Sequence, residues 1–482
     1  MNEPKTVALL GVPFHDVGID EVVDEIDRIV GEREPRYLVT ANLDFATQAS
    51  GDVELQRILL DAHLVLCDGT PLLWASRWLG APLRERVAGA DLAPKLIERA
   101  AARGHRIFFL GSDDEVLREA KARLEERHPG LQICGAYAPP YARLLELDHD
   151  EIAARIRTAQ PDILLVALGA PKQEKWIYMH HRELGVPCSI GIGASLDFIA
   201  GKFSRAPVWM QKRGLEWLFR LGQEPRRLFK RYFDDFVFFA LAVRRERKLM
   251  QRKAIAQAPV VKADISVPGA TSYRWTGRAD AAAIDAGMLE KPLPAGSGAN
   301  VLLDLSGVTF IDSTAIGLVL KSFRKCKEAG GNLALLSAPK PVRELLGAMK
   351  LDRLLPLAIN LEDASRILQP DQQSKLLRAE FQESEKCLVL RFDGELNAAA
   401  ASEAKQFLDQ EWTGCPLARL LQVNLSGVTF LDSSGLGCLL RARKLVHARD
   451  GARLRLTGVN DNVRNVITLA RLDGLLEINK SK

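Results

Sequence analysis

Hydrophobic and polar positions alternate in blocks from the first residues onward. Short apolar runs at TVALLGV (6–12), YLVT (37–40), HLVLC (63–67), RIFFLG (106–111), ILLVALG (163–169) and CSIGIG (188–193) have the length and make-up of strands. Helical spacing separates most of them. Ile19, Val22, Val23, Ile26, Ile29 and Val30, for example, fall on one face of a helix. This rhythm, sustained over residues 1 to about 205, predicts an α/β fold with a mostly parallel sheet. Such sheets bind their ligands at the carboxyl ends of the strands. Here those ends are polar or glycine-rich: Thr40-Ala41-Asn42, Cys67-Asp68-Gly69, Gly111-Ser112, Gly169-Ala170-Pro171-Lys172-Gln173 and Gly191-Ile192-Gly193.

From Phe203 to Lys253 the pattern turns helical, aromatic and basic, and a polar linker follows around QRKAIAQAPVVKAD (251–264). Then the chain repeats itself. LDLSGVTFIDSTAIGLVL (303–320) returns as VNLSGVTFLDSSGLGCLL (423–440). Each copy is preceded by a related Gly-containing motif, Gly277-Arg-Ala-Asp280-Ala-Ala and Gly394-Glu-Leu-Asn397-Ala-Ala. Two copies of one small α/β module are expected. The predicted organisation is a core at 1–202, an appendage at 203–253, and modules at 260–370 and 376–482.

Composition adds three constraints. A chain of 482 residues exceeds what one hydrophobic core usually serves. The net charge of +5 is mild but unevenly placed: between Lys202 and Lys253, fifteen Lys and Arg face five Asp and Glu. The seven cysteines are scattered, odd in number and without a CxxC pair, which points to a reducing compartment without a disulfide framework. The N-terminal residues do not read as a signal peptide. The apolar run FVFFALAV (236–243) falls far short of the ~20 residues of a membrane span.

Among the polar strand ends, Asp68 is the most unusual, a bare carboxylate with no Lys or Arg before Arg77. It either caps the helix that follows or does chemistry. Lys172 and Gln173 place donors at a helix N-terminus behind a glycine turn and a proline, a pattern shared by anion sites and plain loops. Gly111-Ser112-Asp113 resembles a phosphate turn, but Asp113 and Asp114 would themselves complement the helix start. Asp148-His149-Asp150 reads as a helix cap. His180 and His181 are adjacent on a helix, so they face apart and suit packing or surface roles. No nucleophile triad is visible, and no nearby His supports a Cys67 thiolate.

The segments VTANLDF, CDGTPLLWASRWLGAPLRERVAGADL, LGAPKQEKWI and GASLDFIAGKFSRAPVWMQKRGLEWLFRLGQEPRRLFKRY, in this order over residues 1 to about 240, resemble the WecG/TagA/CpsF glycosyltransferase family. The resemblance implies a Rossmann-like fold. It also implies inverting transfer of a sugar, commonly N-acetylmannosamine, from a UDP donor to a polyprenyl-diphosphate-linked sugar. By that resemblance Asp68 is the base that deprotonates the acceptor hydroxyl, and Thr40 is its polar companion with Asn42 beside it. Arg86 and Gln173 match donor-side positions, and Lys172 is added to them. Asp91 would either contact a sugar or ribose hydroxyl or cap a helix. No cofactor or metal is expected; Arg and Lys would balance the leaving diphosphate. The family's appendage is thought to bind membrane and to close the site with arginines. Arg220 and Arg227 match that pattern, and Lys230 stands where an arginine is expected. With Arg213 these residues are spaced at three or seven, near one helical face. No nucleic-acid motif accompanies them.

The repeated modules resemble STAS domains, the fold of anti-sigma-factor antagonists. In that family the second hydroxyl of Asp-Ser-Ser is a kinase target. Ser434 matches it in copy two and Thr314 in copy one, where DSTAIG departs from DSSGLG. Plain N-capping by these hydroxyls is the competing reading, and Asp312 and Asp432 would shape the same sites. Together these features predict a cytoplasmic enzyme, peripheral at the inner membrane face, in cell-envelope or exopolysaccharide synthesis. An anionic membrane surface, a protein partner of the STAS modules and self-association are expected as well. The competing reading is a signalling scaffold that binds a nucleotide-sugar without turnover. A third, sugar-nucleotide hydrolysis, would release nucleoside diphosphate without an acceptor.

Overall fold

The first apolar run does not form one strand. It forms a hairpin of β1 (Thr6–Leu9) and β2 (Val12–His15), paired antiparallel as a small sheet of its own. Leu10 and Gly11 both take positive φ, 51° and 82°, and such a two-residue turn fits the twist of a hairpin. An unbroken apolar run hides that turn from a reading by hydrophobicity. His15 ties the hairpin to the main sheet, its Nδ1 accepting the Val65 N–H at 2.9 Å.

These details come from a computed structural model that describes residues 4–250, 267–289, 298–369 and 377–470, with 292, 294, 296, 472 and 476. The linker expected at 251–264 lies outside the described residues, as do the side chains of Val208, Lys212, Arg227, Ala399 and Leu469. The chain divides into two compact units, one of residues 1–140, 148–177 and 184–370 and one of 141–147, 178–183 and 371–482.

In the first unit the main sheet contains β3 (Arg36–Ala41), β4 (Leu64–Cys67), β5 (Arg106–Gly111), β6 (Gln132–Tyr137), β7 (Ile163–Ala167) and β8 (Cys188–Gly191). Their order is β4-β3-β8-β7-β5-β6 and every pairing is parallel. Five of the six strands coincide with predicted runs. The sixth, β6, has a half-exposed, weakly apolar sequence (QICGAY), as an edge strand can. The helix face of Val22, Ile26 and Ile29 packs with Leu38, Leu66, Phe109, Leu165 and Ile190 from the strands in one core. The strand order matters most at the carboxyl edge. It makes neighbours of the ends of β4, β3, β8 and β7, which carry Asp68, Thr40, Gly191 and the Gly169–Gln173 turn.

The basic appendage is three helices, Val208–Lys212, Glu216–Gln223 and Pro225–Met250. The expectation of a single helical face bearing Arg213, Arg220, Arg227 and Lys230 is therefore corrected, because these residues fall on different helices or between them. Gly214 breaks the run with a φ of 72°, and Pro225, which has no N–H to donate, starts the last helix. Arg231 pairs with Asp44 of the core at 2.8 Å.

The same unit contains the first repeated module. Its parallel sheet has the order β12 (Leu357–Ala358), β11 (Leu333–Leu336), β10 (Asn300–Ile311) and β9 (Ala270–Ala279). The helix Ser313–Glu328 lies so close to β1 that a Cβ added to Gly317 would stand 2.1 Å from the Thr6 carbonyl oxygen. Arg324 donates to the carbonyls of Ala62 and His63 at 2.6 and 3.2 Å, just ahead of β4. Ala8 and Leu60 join this module's own apolar core.

In the second unit, β13 (Leu377–Gln382), β14 (Cys387–Leu396), β15 (Leu420–Leu431) and β16 (Arg453–Thr457) pair in that order, β13 antiparallel and the rest parallel. The repeat is structural as well as sequential. Gly277 faces Val308 across one sheet and Gly394 faces Val428 across the other, both glycines with positive φ.

Candidate active site

Asp68 follows the last residue of β4, and its N–H donates to the Ala41 carbonyl at 2.9 Å. It does not cap the next helix: Thr70–Trp78 starts from Gly69 and has no side-chain cap. The carboxylate instead receives the Gly89 N–H, at the start of the helix Gly89–Arg103. Burial raises the Asp68 carboxyl to about 6, although the Arg86 guanidinium and the Gly89 N–H pull it down; Glu216 and Asp91 add to the rise. The cation that acts on it is Arg86, eighteen positions along the chain. The neighbouring Cys67 thiol is pushed up by burial and by the Asp68 charge, which removes any thiolate chemistry there.

Thr40 is buried beside this carboxylate. Its hydroxyl donates to the Gly191 carbonyl at 3.2 Å, and a Cβ on Gly89 would lie 3.3 Å from it. Gly191 is equally close to Gln173: an added Cβ would stand 2.6 Å from Gln173 Nε2 and from Glu174 Oε1. Glycine at this strand end lets the helix start approach the sheet. Gln173 Nε2 donates to Glu174 Oε1 at 2.7 Å, and Gln173 Oε1 is buried without a hydrogen-bond partner. Lys172 opens the helix Lys172–Leu184 half-buried, and burial pushes its ammonium below the ordinary range. Asn42 sits near Gly69 and caps its own helix, Oδ1 accepting the Phe45 N–H at 3.3 Å.

Of the two roles expected of Asp91, the structure answers the capping one: the helix Gly89–Arg103 has no side-chain cap. It accepts from Arg86 Nη2 at 2.7 Å and from Arg205 Nη1 at 2.7 Å. Arg86 Nη1 in turn donates to Glu216 at 2.9 Å, and Arg205 Nη2 approaches the other Glu216 oxygen at 3.5 Å. Two guanidiniums and two carboxylates therefore close a circuit next to Asp68. Glu216 belongs to the appendage. Gly214, two residues before it, comes so near the start of the Thr70–Trp78 helix that an added Cβ would lie 2.6 Å from Thr70 Cγ2.

The expected acceptor-side cations are more dispersed. Arg213 is exposed with its guanidinium 5.9 Å from the Trp209 ring centroid. Arg220 is half-buried over Phe198, also at 5.9 Å. Lys230 is exposed on the long helix, and the Arg227 side chain lies outside the described residues. Around them lie exposed aromatics: Trp78, Phe229, Phe233 and Phe236 are each more than half exposed. Trp78 contacts both Trp74 and Phe239, with ring centroids 6.4 and 6.0 Å apart.

Three residues escaped the sequence reading. Arg205 and Glu216 lie within segments that carried the family resemblance, but only the fold brings them to Arg86. Glu174 reads as an ordinary acid in a first helical turn; it is fully buried, and burial raises its carboxyl to about 7. The other motifs resolve simply. Asp113 and Asp148 cap helices, accepting from the N–H groups of Val116 and Glu151, and His180 and His181 are buried. Among the described residues, no group of three or more His, Cys, Asp or Glu could hold a metal ion.

In the modules, Thr314 and Ser434 occupy first helical turns and are almost fully buried. The caps are the preceding aspartates. Asp312 accepts from the N–H groups of Ala315 and Ala281, and Asp432 from those of Ser434, Gly435 and Ala398. The first backbone N–H of the Ala-Ala element ahead of each copy thus bonds to that copy's cap, tying the two motifs together. The capping role considered for the two hydroxyls is thus filled by aspartate.

The chain matches the glycosyl transferase WecG/TagA/CpsF family over residues 7–253 and the STAS domain over 267–364 and 378–482. A protein of Bacillus spizizenii named N-acetylglucosaminyldiphosphoundecaprenol N-acetyl-beta-D-mannosaminyltransferase is 32% identical over 217 residues, covering 43% of this chain and 82% of the relative. A protein of Staphylococcus aureus with the same name is 27% identical over 249 residues, covering 51% of this chain and 96% of its own length. With its strand-end carboxylate, its parallel sheet and its basic aromatic appendage, the chain belongs to the WecG/TagA/CpsF glycosyltransferase family.

Proposed function

We propose that this enzyme transfers an N-acetylmannosamine-type sugar from a UDP donor to a polyprenyl-diphosphate-linked N-acetylglucosamine. The names of its relatives supply the donor and acceptor classes. The observation that carries the mechanism is the Asp68 carboxyl, raised to about 6 at the mouth of the sheet beside Arg86. A base of that strength is ionised at neutral pH and still takes a proton as one develops.

In the proposed step the acceptor hydroxyl oxygen attacks the anomeric carbon from the face opposite the diphosphate. Its proton passes to Asp68, the bond from the anomeric carbon to the diphosphate oxygen breaks, and UDP leaves with the electron pair. Inversion follows from the single displacement. Arg86, with Lys172 and Gln173, would meet the charge growing on the leaving group. Thr40 would hold the base's surroundings in register, with Asn42 shaping the turn beside Gly69 and Asp91 orienting Arg86. Arg213, Arg220, Arg227 and Lys230 would receive the acceptor diphosphate.

The acceptor's lipid places the reaction at a membrane surface. Among the described residues no helix is long and apolar enough to cross a membrane. The exposed Trp78, Phe229, Phe233 and Phe236, interleaved with basic side chains, support peripheral binding to an anionic inner leaflet. The STAS domains would serve docking to a protein partner or regulation.

The test is transfer from UDP-N-acetylmannosamine to a short-chain lipid-diphosphate N-acetylglucosamine. A disaccharide product with inverted configuration is expected. Donor binding without product would favour the scaffold reading, and UDP release without acceptor would favour hydrolysis.

A further inference from the structure

The four-residue circuit beside Asp68 raises a problem of charge. Arg86 is the cation acting on the base, yet two carboxylates already occupy it. Asp91 holds Nη2 from the same helix start, and is itself fixed by Arg205. Glu216 holds Nη1 from a different element, the short appendage helix Glu216–Gln223. The two guanidiniums and two carboxylates sum to zero, and Asp68 adds a negative charge once ionised. A diphosphate arriving at this set would meet no net positive charge. Lys172 lies outside the circuit; within it, displacing one carboxylate would uncover a cation, and the geometry marks which. Asp91 is held by two arginines at 2.7 Å each, whereas Glu216 has one close bond at 2.9 Å and a second, looser contact at 3.5 Å. The chain enters the Glu216 helix through Gly214, whose positive φ makes a turn just ahead of it.

We propose that Glu216 is a displaceable stand-in for the donor diphosphate: its carboxylate holds Arg86 in the empty enzyme, and the donor's phosphate oxygens take over that guanidinium and release the Glu216–Gln223 helix. This rests on the reading that Arg86 receives the donor diphosphate. The consequence is an order of events. The same helix carries Arg220, so donor binding would free an acceptor-side cation at the moment the donor is in place. Acceptor capture then follows donor capture, and the Glu216–Gln223 helix cannot re-form its resting contact until UDP leaves.

A built-in competitor lowers the apparent affinity of the ligand it mimics by the fraction of molecules in which it is absent. Removing the Glu216 charge should therefore tighten UDP binding. Calorimetric titration of UDP into the full chain is expected to show Glu216→Gln and Glu216→Ala binding about fivefold more tightly than wild type. Hydrogen exchange gives a second readout. In wild type, UDP should accelerate exchange across residues 216–223; in Glu216→Gln those amides should exchange rapidly with or without UDP. If Glu216 is instead a fixed brace for Arg86, the substitutions weaken UDP binding and UDP leaves or slows exchange in the helix; either result overturns the proposal. Arg86→Ala separates this from the underlying reading. If that variant binds UDP as well as wild type, the donor reading fails and the stand-in with it. If it loses UDP binding while Glu216→Gln gains none, only the stand-in fails. Should the Glu216 variants not fold, the wild-type exchange measurement still decides.

Discussion

Asp68→Asn should make the protein more stable and the enzyme nearly inactive. The carboxyl stands at about 6 in the fold against an ordinary 3.8, with burial as the main cause. A raised folded-state pKa means the native state holds its proton more tightly than the unfolded chain does. Stability contributed by this group is therefore present below about pH 4 and lost as pH rises through about 6. Converted at 1.36 kcal/mol per tenfold, ionising Asp68 in the fold costs about 3 kcal/mol at most. The carboxylate is only half-buried, so solvent screening reduces this to about 1–2 kcal/mol. Asparagine keeps the shape and an acceptor for the Gly89 N–H without the charge. Thermal melts of both proteins from pH 4.5 to 8 should show the variant ahead by about 1–3 °C above pH 6.5, the gap closing toward pH 4. Turnover should fall by about 10²- to 10⁴-fold. A gap that does not depend on pH, or a less stable variant at pH 8, would refute the electrostatic reasoning.

Gly317→Leu would press a side chain onto the Thr6 carbonyl, 2.1 Å from the first added atom, and should destabilise the first unit by about 1–3 kcal/mol, read as lost exchange protection in β1. Thr314→Glu should do the same, because the buried hydroxyl leaves no room for charge; undisturbed protection in that variant would show the helix start to be accessible. Joint replacement of Phe233 and Phe236 by Ser should weaken binding to phosphatidylglycerol vesicles about thirtyfold without altering UDP affinity, as checked by co-sedimentation. Arg220→Ala should raise KM for the lipid-linked acceptor more than KM for the donor in steady-state kinetics.

Much of this was readable before the fold was known. The parallel strands announce themselves because a sheet buried on both faces needs continuous apolar runs, and the duplicated module is plain in its SGVTF-hydrophobic-Asp-Ser pattern. Asp68, Thr40 and Gln173 stand out as polar residues at strand ends. What stayed hidden is contact between distant segments. Nothing in GLEW says that Glu216 will meet Arg86, and nothing in QICGAY marks a strand, since a half-exposed edge needs little apolar sequence. Periodicity also misled at the appendage. A spacing of seven between arginines looks like one helical face, but Gly214 and Pro225 divide the segment into three helices. The hairpin over 6–15 was concealed for the opposite reason: its turn is Leu10-Gly11, and Leu10 at positive φ reads as part of an apolar strand, leaving Gly11 as the one turn signal.

The central claim is a base-assisted sugar transfer at Asp68, and the most direct measurement is side-by-side turnover of wild type and Asp68→Asn. UDP-N-acetylmannosamine and a short-chain lipid-diphosphate N-acetylglucosamine serve as substrates, with UDP affinity measured in the same preparations. The account predicts that wild type forms the disaccharide with a kcat/KM that rises through an apparent pKa near 6, while Asp68→Asn binds UDP comparably and forms almost none. Undiminished transfer by Asp68→Asn would contradict it.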